Sequence, residues 1–227
     1  MPSIEDHKRT NDIFFGPLER PALRWMAMHM PAWVTPDMLT GLGVLGGVII
    51  FFAYYFSRIS PAFLWLASFG FVVNWVGDSM DGSLARYRNI QRPRYGFFID
   101  HTIDVVVEAM VILGLGVSFY VRFDLACLAL IGYLMLSVLV YVQQLVTNEF
   151  RISYGKLGPT EVRVIVILAN TIIFFAGNPV LPAPFEKMTV YDGLVAFVVL
   201  VMAAIYVTQV IVKGRQLSRE DRTPKYS

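Results

Sequence analysis

The sequence is poor in the residues that most often build disulfides and zinc sites, with one cysteine and three histidines in 227 residues. The lone Cys127 excludes an intramolecular disulfide, and no cysteine and histidine cluster has the spacing of a zinc site. Charged residues are also scarce, at 16%, whereas 56% of the residues are hydrophobic. This balance is typical of an integral membrane protein.

Long apolar runs predict an all-α integral membrane protein with six transmembrane helices. The first thirty residues are charged and interrupted by prolines, so they do not resemble a cleavable signal peptide. The predicted organisation is a cytoplasmic segment at 1–34, a six-helix membrane domain at 35–214 and a cytoplasmic tail at 215–227. The apolar runs cover about residues 39–57, 61–77, 97–121, 125–146, 162–176 and 190–212.

Two charge patterns predict how the chain meets the membrane. Residues 17–30 are amphipathic, with apolar side chains on one face and arginines roughly opposite, which predicts a short interfacial helix before the first span. Of the 19 lysines and arginines, only Arg58, Arg122 and Lys187 fall in the first, third and fifth loops. By the positive-inside rule, both termini are then cytoplasmic.

Four aspartates stand close together at 78–104. Asp78 and Asp81 are spaced i,i+3, and Asp100 and Asp104 are spaced i,i+4, so each pair falls on one face of a helix. An ionised side chain in a membrane helix costs on the order of 3 kcal/mol, and four together need compensation. Two divalent cations would balance the four charges. Because the ligands are carboxylate oxygens, Mg²⁺ or Mn²⁺ fits better than zinc, and a pair of ions suits phosphoryl displacement.

The segment from Asp78 to Asp104 resembles the signature of the CDP-alcohol phosphotransferase family. That signature reads DxxDGxxAR, a short spacer, then GxxxDxxxD, and all of its fixed positions match here. The spacer at 87–95 has nine residues, where eight is the commoner length in the family. The extra residue falls in a predicted loop and leaves both helical registers unchanged.

The resemblance implies an enzyme that transfers a substituted phosphate group from a CDP-linked donor to an alcohol hydroxyl and releases CMP. It implies that Asp78, Asp81 and Asp100 hold metal ions and the donor diphosphate. Asp104 would also contact a metal and would act as the general base on the acceptor. The small residues would leave room for cytidine, and the arginine would bind phosphate oxygens. The implied CDP-binding residues are Asp78, Asp81, Gly82, Ala85, Arg86 and Gly96.

Three residues outside the motif each have an interpretation of their own. Asn74 lies one turn before Asp78 on the same face. It is predicted either to lie next to a metal or its ligands, or to form a hydrogen bond between helices. Glu108 lies one turn beyond Asp104 and is a functional candidate as an acid within the membrane. Thr40, near the start of the first span, is interpreted as a helix-terminus residue, and the alternative is that it lines the nucleotide site, since the family often has a similar proline-to-threonine entry.

A candidate acceptor site follows at 151–163. In relatives that use phosphorylated acceptors, basic residues in this region bind the acceptor phosphate. The GPTE-like segment at 158–161 instead resembles the amino-alcohol phosphotransferases, and its glutamate would suit a cationic or hydroxyl group. A helix cap with cytoplasmic positive charges is a third interpretation, and the sequence leaves all three open. The candidate residues are Arg151, Lys156, Glu161 and Arg163.

The short chain, with no additional lipid-handling segment, favours CDP-diacylglycerol as donor and a polar alcohol as acceptor. The alternative within the family is a CDP-amino-alcohol donor with a lipid hydroxyl acceptor. An intramembrane prenyltransferase, which also uses aspartate-rich helices and Mg²⁺, is a remote alternative. The DGxxAR segment argues against it, because a prenyl diphosphate has no cytidine to accommodate. A cation transporter is another, but its acids would be spread across the membrane.

The expected partners are the bilayer, a CDP-linked donor and an alcohol acceptor, with no nucleic acid. The resemblance implies a homodimer. The expected location is a bacterial inner membrane, with the active site facing the cytoplasm. The alternative location is the endoplasmic reticulum.

Overall fold

The computed structural model describes residues 15–147 and 158–221. These two ranges form seven α-helices, and their extended structure is limited to one isolated antiparallel bridge between Val180 and Thr189. The predicted all-α architecture is therefore confirmed. The helices are α1 (Gly16–His29), α2 (Pro36–Phe56), α3 (Phe63–Tyr87), α4 (Pro93–Gly116), α5 (Phe123–Thr147), α6 (Pro159–Ala176) and α7 (Val190–Glu220).

Four of the described helices, α2, α5, α6 and α7, are long and apolar enough to cross a membrane. Helices α3 and α4 have 25 and 24 residues, or about 36 Å each at 1.5 Å per residue, which is also enough to cross. Both carry the charged residues of the aspartate motif, which lowers their mean hydropathy. Helix α3 continues past the apolar run that ends at 77 and reaches Tyr87, so the motif residues from Asp78 to Arg86 lie on it.

Helix α1 packs against the end of α3 that carries the aspartates. Ala27 of α1 is buried with Met80 and Leu84 of α3 in one apolar cluster. On the other side of α1, Leu18 and Trp25 are 72% and 61% exposed. Helix α1 thus has a protein-facing side and an exposed apolar side, which suits the predicted interfacial location.

Glycines bring the backbones of α2 and α3 into contact. A Cβ atom on Gly77 would lie 2.2 Å from the backbone nitrogen of Gly43, and one on Gly46 would lie 2.5 Å from that of Asn74. Gly47 faces a different helix, since its Cβ would lie 3.2 Å from the Val107 side chain of α4. The glycine-rich start of the first span therefore permits close packing against two helices at once.

The opposite end of the helices is held by buried hydrogen bonds. The Tyr54 hydroxyl donates to Oδ1 of Asn170 at 3.0 Å, and Nδ2 of Asn170 donates to Oγ of Ser68 at 3.3 Å. These three side chains join α2, α6 and α3 and satisfy one another where water is excluded. They fix the far end of the bundle, so the end that carries the aspartates is positioned by separate contacts.

We predict that Gly77→Ala destabilises the protein, because the new methyl group would meet the backbone of α2, which cannot move aside. Overpacking of this kind costs about 1–3 kcal/mol. The matched control is Gly41→Ala, whose Cβ would meet no atom within 4 Å and which gains up to about 1 kcal/mol of helix propensity. Thermal unfolding in detergent micelles measures both. Equal melting temperatures for the two variants would contradict the packing argument.

Candidate active site

Three aspartates from two helices converge at one end of the bundle. One carboxylate oxygen each from Asp78 on α3 and from Asp100 and Asp104 on α4 lies within 4.8 Å of the other two. All three side chains are partly buried. The helical spacing of Asp100 and Asp104 places both on the face of α4 that meets Asp78, as the sequence predicted for each pair.

Asp81 lines the same small cavity but lies outside the group of three. Its Oδ2 accepts a hydrogen bond of 2.7 Å from the Thr40 hydroxyl, and its Oδ1 accepts one from the backbone of Gly82. Thr40 therefore lines the cavity and also lies near the start of α2, so its location agrees with both interpretations of this residue. The cavity has a volume of about 10 Å³, which is the space of one water-sized occupant.

Arg163 of α6 reaches the aspartate cluster. Its Nη2 donates to Oδ2 of Asp78 at 2.6 Å, and its Nε donates to Oδ1 of Asn74 at 3.0 Å. Nδ2 of Asn74 in turn donates to the Gly43 carbonyl at 3.0 Å, and Asn74 is 5% exposed. Asn74 thus makes the hydrogen bonds between helices that one interpretation predicted, and it does so one contact away from Asp78.

Glu161 is a capping residue in this structure. Its side chain is 4% exposed, and its two carboxylate oxygens accept backbone hydrogen bonds from Phe15 at 2.8 Å and Gly158 at 2.9 Å. Among the three interpretations of this segment, the geometry matches the helix cap. Two other candidate acceptor residues, Arg151 and Lys156, lie outside the described residues.

The remaining motif residues surround the cluster at the ends of α3 and α4. A Cβ on Gly82 would lie 3.2 Å from Nη1 of Arg86, so the absence of a side chain lets this guanidinium lie over the helix. Ala85 lies on the same turn of α3. A Cβ on Gly96 would meet nothing within 4 Å, which leaves open space at the start of α4. Glu108 is partly buried one turn beyond Asp104, and Arg163 and Asp78 interact with it electrostatically.

Glu19 of α1 lies beside the site, although the sequence did not indicate it as a candidate. Its carboxylate accepts hydrogen bonds from side chains of α3 and α6 beside the aspartate cluster. The signal in the sequence was weak, because an acid in the first turn of an amphipathic helix is commonly explained by the helix dipole alone. Its partners are 56 to 141 residues away along the chain.

The carboxylate group suits a hard divalent cation. Metal–oxygen distances near 2.1 Å put the ligand oxygens of an octahedral Mg²⁺ about 3.0 Å apart when adjacent and about 4.2 Å apart when opposite. The three aspartate oxygens lie within 4.8 Å of one another, so they would have to move only slightly closer. The donors are all carboxylate oxygens, the ligand type that Mg²⁺ and Mn²⁺ prefer. Asp78, Asp100 and Asp104 could therefore hold a cation after small side-chain movements.

Residues 33–213 match the sequence model of the CDP-alcohol phosphatidyltransferase family. The match covers most of the chain, so the chain belongs to this family, and the resemblance drawn from the aspartate motif is confirmed. Membership in this membrane-bound family, together with the four apolar helices, identifies an integral membrane protein.

Curated relatives include a phosphate synthase and a cholinephosphotransferase. The chain is 33% identical over 104 residues to archaetidylinositol phosphate synthase of Pyrococcus horikoshii, which covers 46% of this chain and 52% of that protein. It is 26% identical over 186 residues to cholinephosphotransferase 1 of Danio rerio, covering 77% of this chain and 47% of that protein. The chain therefore spans about half the length of these curated relatives.

Solved structures share the fold. Phosphatidylinositol phosphate synthase PgsA1 of Mycobacterium tuberculosis with CDP-DAG bound aligns with a TM-score of 0.57 at 20% identity, covering 86% of this chain and 94% of that one. The same enzyme in complex with manganese and citrate aligns with a TM-score of 0.51, also at 20% identity, covering 86% and 87%. At this identity the similarity shows the fold alone.

We predict that Asp78→Asn and Asp100→Asn each weaken Mn²⁺ binding by at least about tenfold, because each removes a charged oxygen ligand. The control is Asp37→Asn, which removes an exposed acid that pairs with Arg92 at the same end of the helices. Titration of Mn²⁺ by electron paramagnetic resonance measures the free ion directly. Unchanged affinity in the Asp78 and Asp100 variants would remove these residues from the metal site.

Proposed function

We propose that the protein is a metal-dependent membrane transferase that moves a substituted phosphate group from a CDP-linked donor to an alcohol hydroxyl and releases CMP. The convergence of Asp78, Asp100 and Asp104 within 4.8 Å carries the proposal. These residues belong to the motif by which the sequence resembles the family, and the family match spans the helices that bear them.

The four motif aspartates would bind two ions of Mg²⁺ or Mn²⁺. Bound metal would neutralise the donor diphosphate and stabilise charge on its oxygens. The hydrogen bond from Thr40 would orient the Asp81 carboxylate, as residues behind a metal ligand commonly do. Arg86 would bind phosphate oxygens, and Gly82, Ala85 and the open space at Gly96 would accommodate the cytidine.

Asp104 would take the proton of the acceptor hydroxyl. The acceptor oxygen then attacks the phosphorus that carries the substituent, on the side opposite CMP. The bond between that phosphorus and the oxygen that bridges to CMP breaks, and CMP leaves with the bonding electrons. The products are the phosphodiester of the acceptor, CMP and the proton that Asp104 accepted.

CDP-diacylglycerol is the proposed donor, and a polar alcohol is the proposed acceptor. The shared fold with PgsA1, whose structure has CDP-DAG bound, supports this donor. Both Glu161 oxygens already accept backbone hydrogen bonds, so this residue offers little to a cationic amino alcohol. Arg163, with Arg151 and Lys156, would supply positive charge for an acidic acceptor. The alternative, a CDP-amino-alcohol donor with a lipid hydroxyl, is supported by the similarity to cholinephosphotransferase 1.

In the proposed membrane arrangement α2 to α7 cross the bilayer and α1 lies at the cytoplasmic interface. The lengths of α3 and α4 and the exposed apolar side of α1 support it. Both termini and the aspartate cluster would then face the cytoplasm of a bacterial cell, where a CDP-linked donor and a soluble acceptor can meet. The proposed assembly is a homodimer.

The experiment that tests the proposal measures CMP release by purified protein with Mg²⁺. Radiolabelled CDP-diacylglycerol and CDP-ethanolamine are each crossed with inositol phosphate, glycerol phosphate, serine, inositol and diacylglycerol. CMP that depends on a polar acceptor and CDP-diacylglycerol would support the proposed donor. CMP formed only from CDP-ethanolamine and diacylglycerol would select the alternative. Absence of CMP with every pair would contradict the proposed activity.

We predict that Asp104→Asn lowers turnover by at least about 10²-fold, because general-base catalysis contributes this much, while donor binding persists. Filter binding of radiolabelled CDP-diacylglycerol and the CMP assay separate the two effects. Asp100→Asn is the matched comparison, one turn away on the same face of α4, and it should weaken donor binding itself. Near-normal turnover in Asp104→Asn would rule out this residue as the base.

A further inference from the structure

Glu19 connects α1 to two helices of the site through one carboxylate oxygen. Its Oε1 accepts hydrogen bonds from Nε1 of Trp75 at 3.0 Å, from the Ser79 hydroxyl at 3.2 Å and from the Thr160 hydroxyl at 3.0 Å. The first two donors belong to α3 and the third to α6. Hydrogen bonds to a charged acceptor are stronger than neutral ones, so this junction resists separation of the three helices.

The donors on α3 are the sequence neighbours of two site residues. Trp75 directly follows Asn74, and Ser79 directly follows Asp78. Asn74 and Asp78 are one helical turn apart, and so are Trp75 and Ser79. One stripe of α3 therefore faces the cavity while the adjacent stripe binds Glu19. Rotation of α3 about its axis would break the contacts with Glu19 and would move Asp78.

Thr160, the donor on α6, lies one turn before Arg163. Arg163 contacts Asp78 and Asn74. The first turn of α6 is also bound to α1 in the opposite direction, because Glu161 accepts a hydrogen bond from the Phe15 backbone. Glu19 of α1 thus accepts a hydrogen bond from the start of α6, and Glu161 of α6 accepts one from the start of α1. Both contacts hold the start of α6 against α1, and α1 is packed on α3.

From this arrangement we infer that Glu19 is a positioning residue, which fixes α6 against α3 so that Arg163 stays at Asp78. Glu19 acts through these helices and does not line the cavity. Its effect on turnover rests on the proposed function, whereas its effect on the placement of α6 does not. The role is distinct from the metal-binding and CDP-binding roles assigned to the motif.

The activity experiment compares Glu19→Ala with the conservative Glu19→Gln. Glu19→Ala should lower turnover on the order of 10- to 100-fold, because small displacements of a catalytic group carry such costs. Glu19→Gln keeps an acceptor oxygen for the three donors and should stay within about threefold of the unmodified protein. Asp124→Ala is the control, since it removes an exposed carboxylate at the opposite end of the helices.

A double-mutant cycle separates positioning from general stability. If Glu19 acts by holding Arg163 at Asp78, Glu19→Ala should cost much less turnover in an Arg163→Ala background than alone. Independent effects would multiply. Multiplicative losses in the double variant would therefore overturn the inference even if each single variant is impaired.

A distance measurement tests the placement of α6 without any substrate. Nitroxide labels at Tyr87 on α3 and Val162 on α6, both about half exposed, are introduced in a Cys127→Ser background. Pulsed electron–electron double resonance should show a broader distance distribution in Glu19→Ala and an unchanged one in Glu19→Gln and Asp124→Ala.

An unchanged distribution in Glu19→Ala would overturn the inference, whatever the activity. A broadened distribution with unimpaired turnover would overturn it as well, because the placement would then not matter to the site. If the unmodified protein releases no CMP with any substrate pair, the proposed function fails, and the distance measurement still decides whether Glu19 fixes α6.

Discussion

The backbones of α2 and α3 touch where Gly77 meets Gly43, and this contact determines where the polar groups of the site can stand. It brings the Thr40 hydroxyl within hydrogen-bonding distance of Asp81, and the Asn74 amide within reach of the Gly43 carbonyl. A Cβ on Gly77 would lie 2.2 Å from the backbone nitrogen of Gly43, so a side chain there would push the helices apart and strain these hydrogen bonds. The position of Asp81 beside Thr40 therefore depends on Gly77, a glycine outside the motif.

The carboxylates of Asp78, Asp100 and Asp104 are partly buried and repel one another, so the fold must supply positive charge at this end. Arg163 supplies part of it by pairing with Asp78, and its second hydrogen bond, to Asn74, holds the guanidinium in place. One guanidinium cannot neutralise three carboxylates and the nearby Glu108. A cation that binds the folded cluster would add its binding free energy to stability, so metal occupancy and folding are coupled at this site under the proposed function.

The sequence predicted the local part of this site well and the long-range part poorly. The spacing of Asp100 and Asp104 fixes their shared face, because helical geometry acts over a few residues. The contact of Thr40 with Asp81 and the cap that Glu161 forms on the Phe15 backbone depend on how distant helices pack, which no local pattern encodes. Helix α3 continues past its apolar run to Tyr87, as the helical spacing of Asp78 and Asp81 implied, because backbone hydrogen bonds carry the helix through its polar residues.

The chain resembles both an archaetidylinositol phosphate synthase and a cholinephosphotransferase, and the distribution of its contacts separates the motif from the start of α6. The motif on α3 and α4 would serve the part that all CDP-linked donors share, so it need not change with the acceptor. The first turn of α6 faces the same cluster through Arg163, but α1 holds it through Glu19 and Glu161. Substitutions in that turn would therefore reach the aspartates, because the same helix carries the guanidinium that pairs with Asp78. In this view α1 supports the site, because it holds the helix whose Arg163 contacts the cluster.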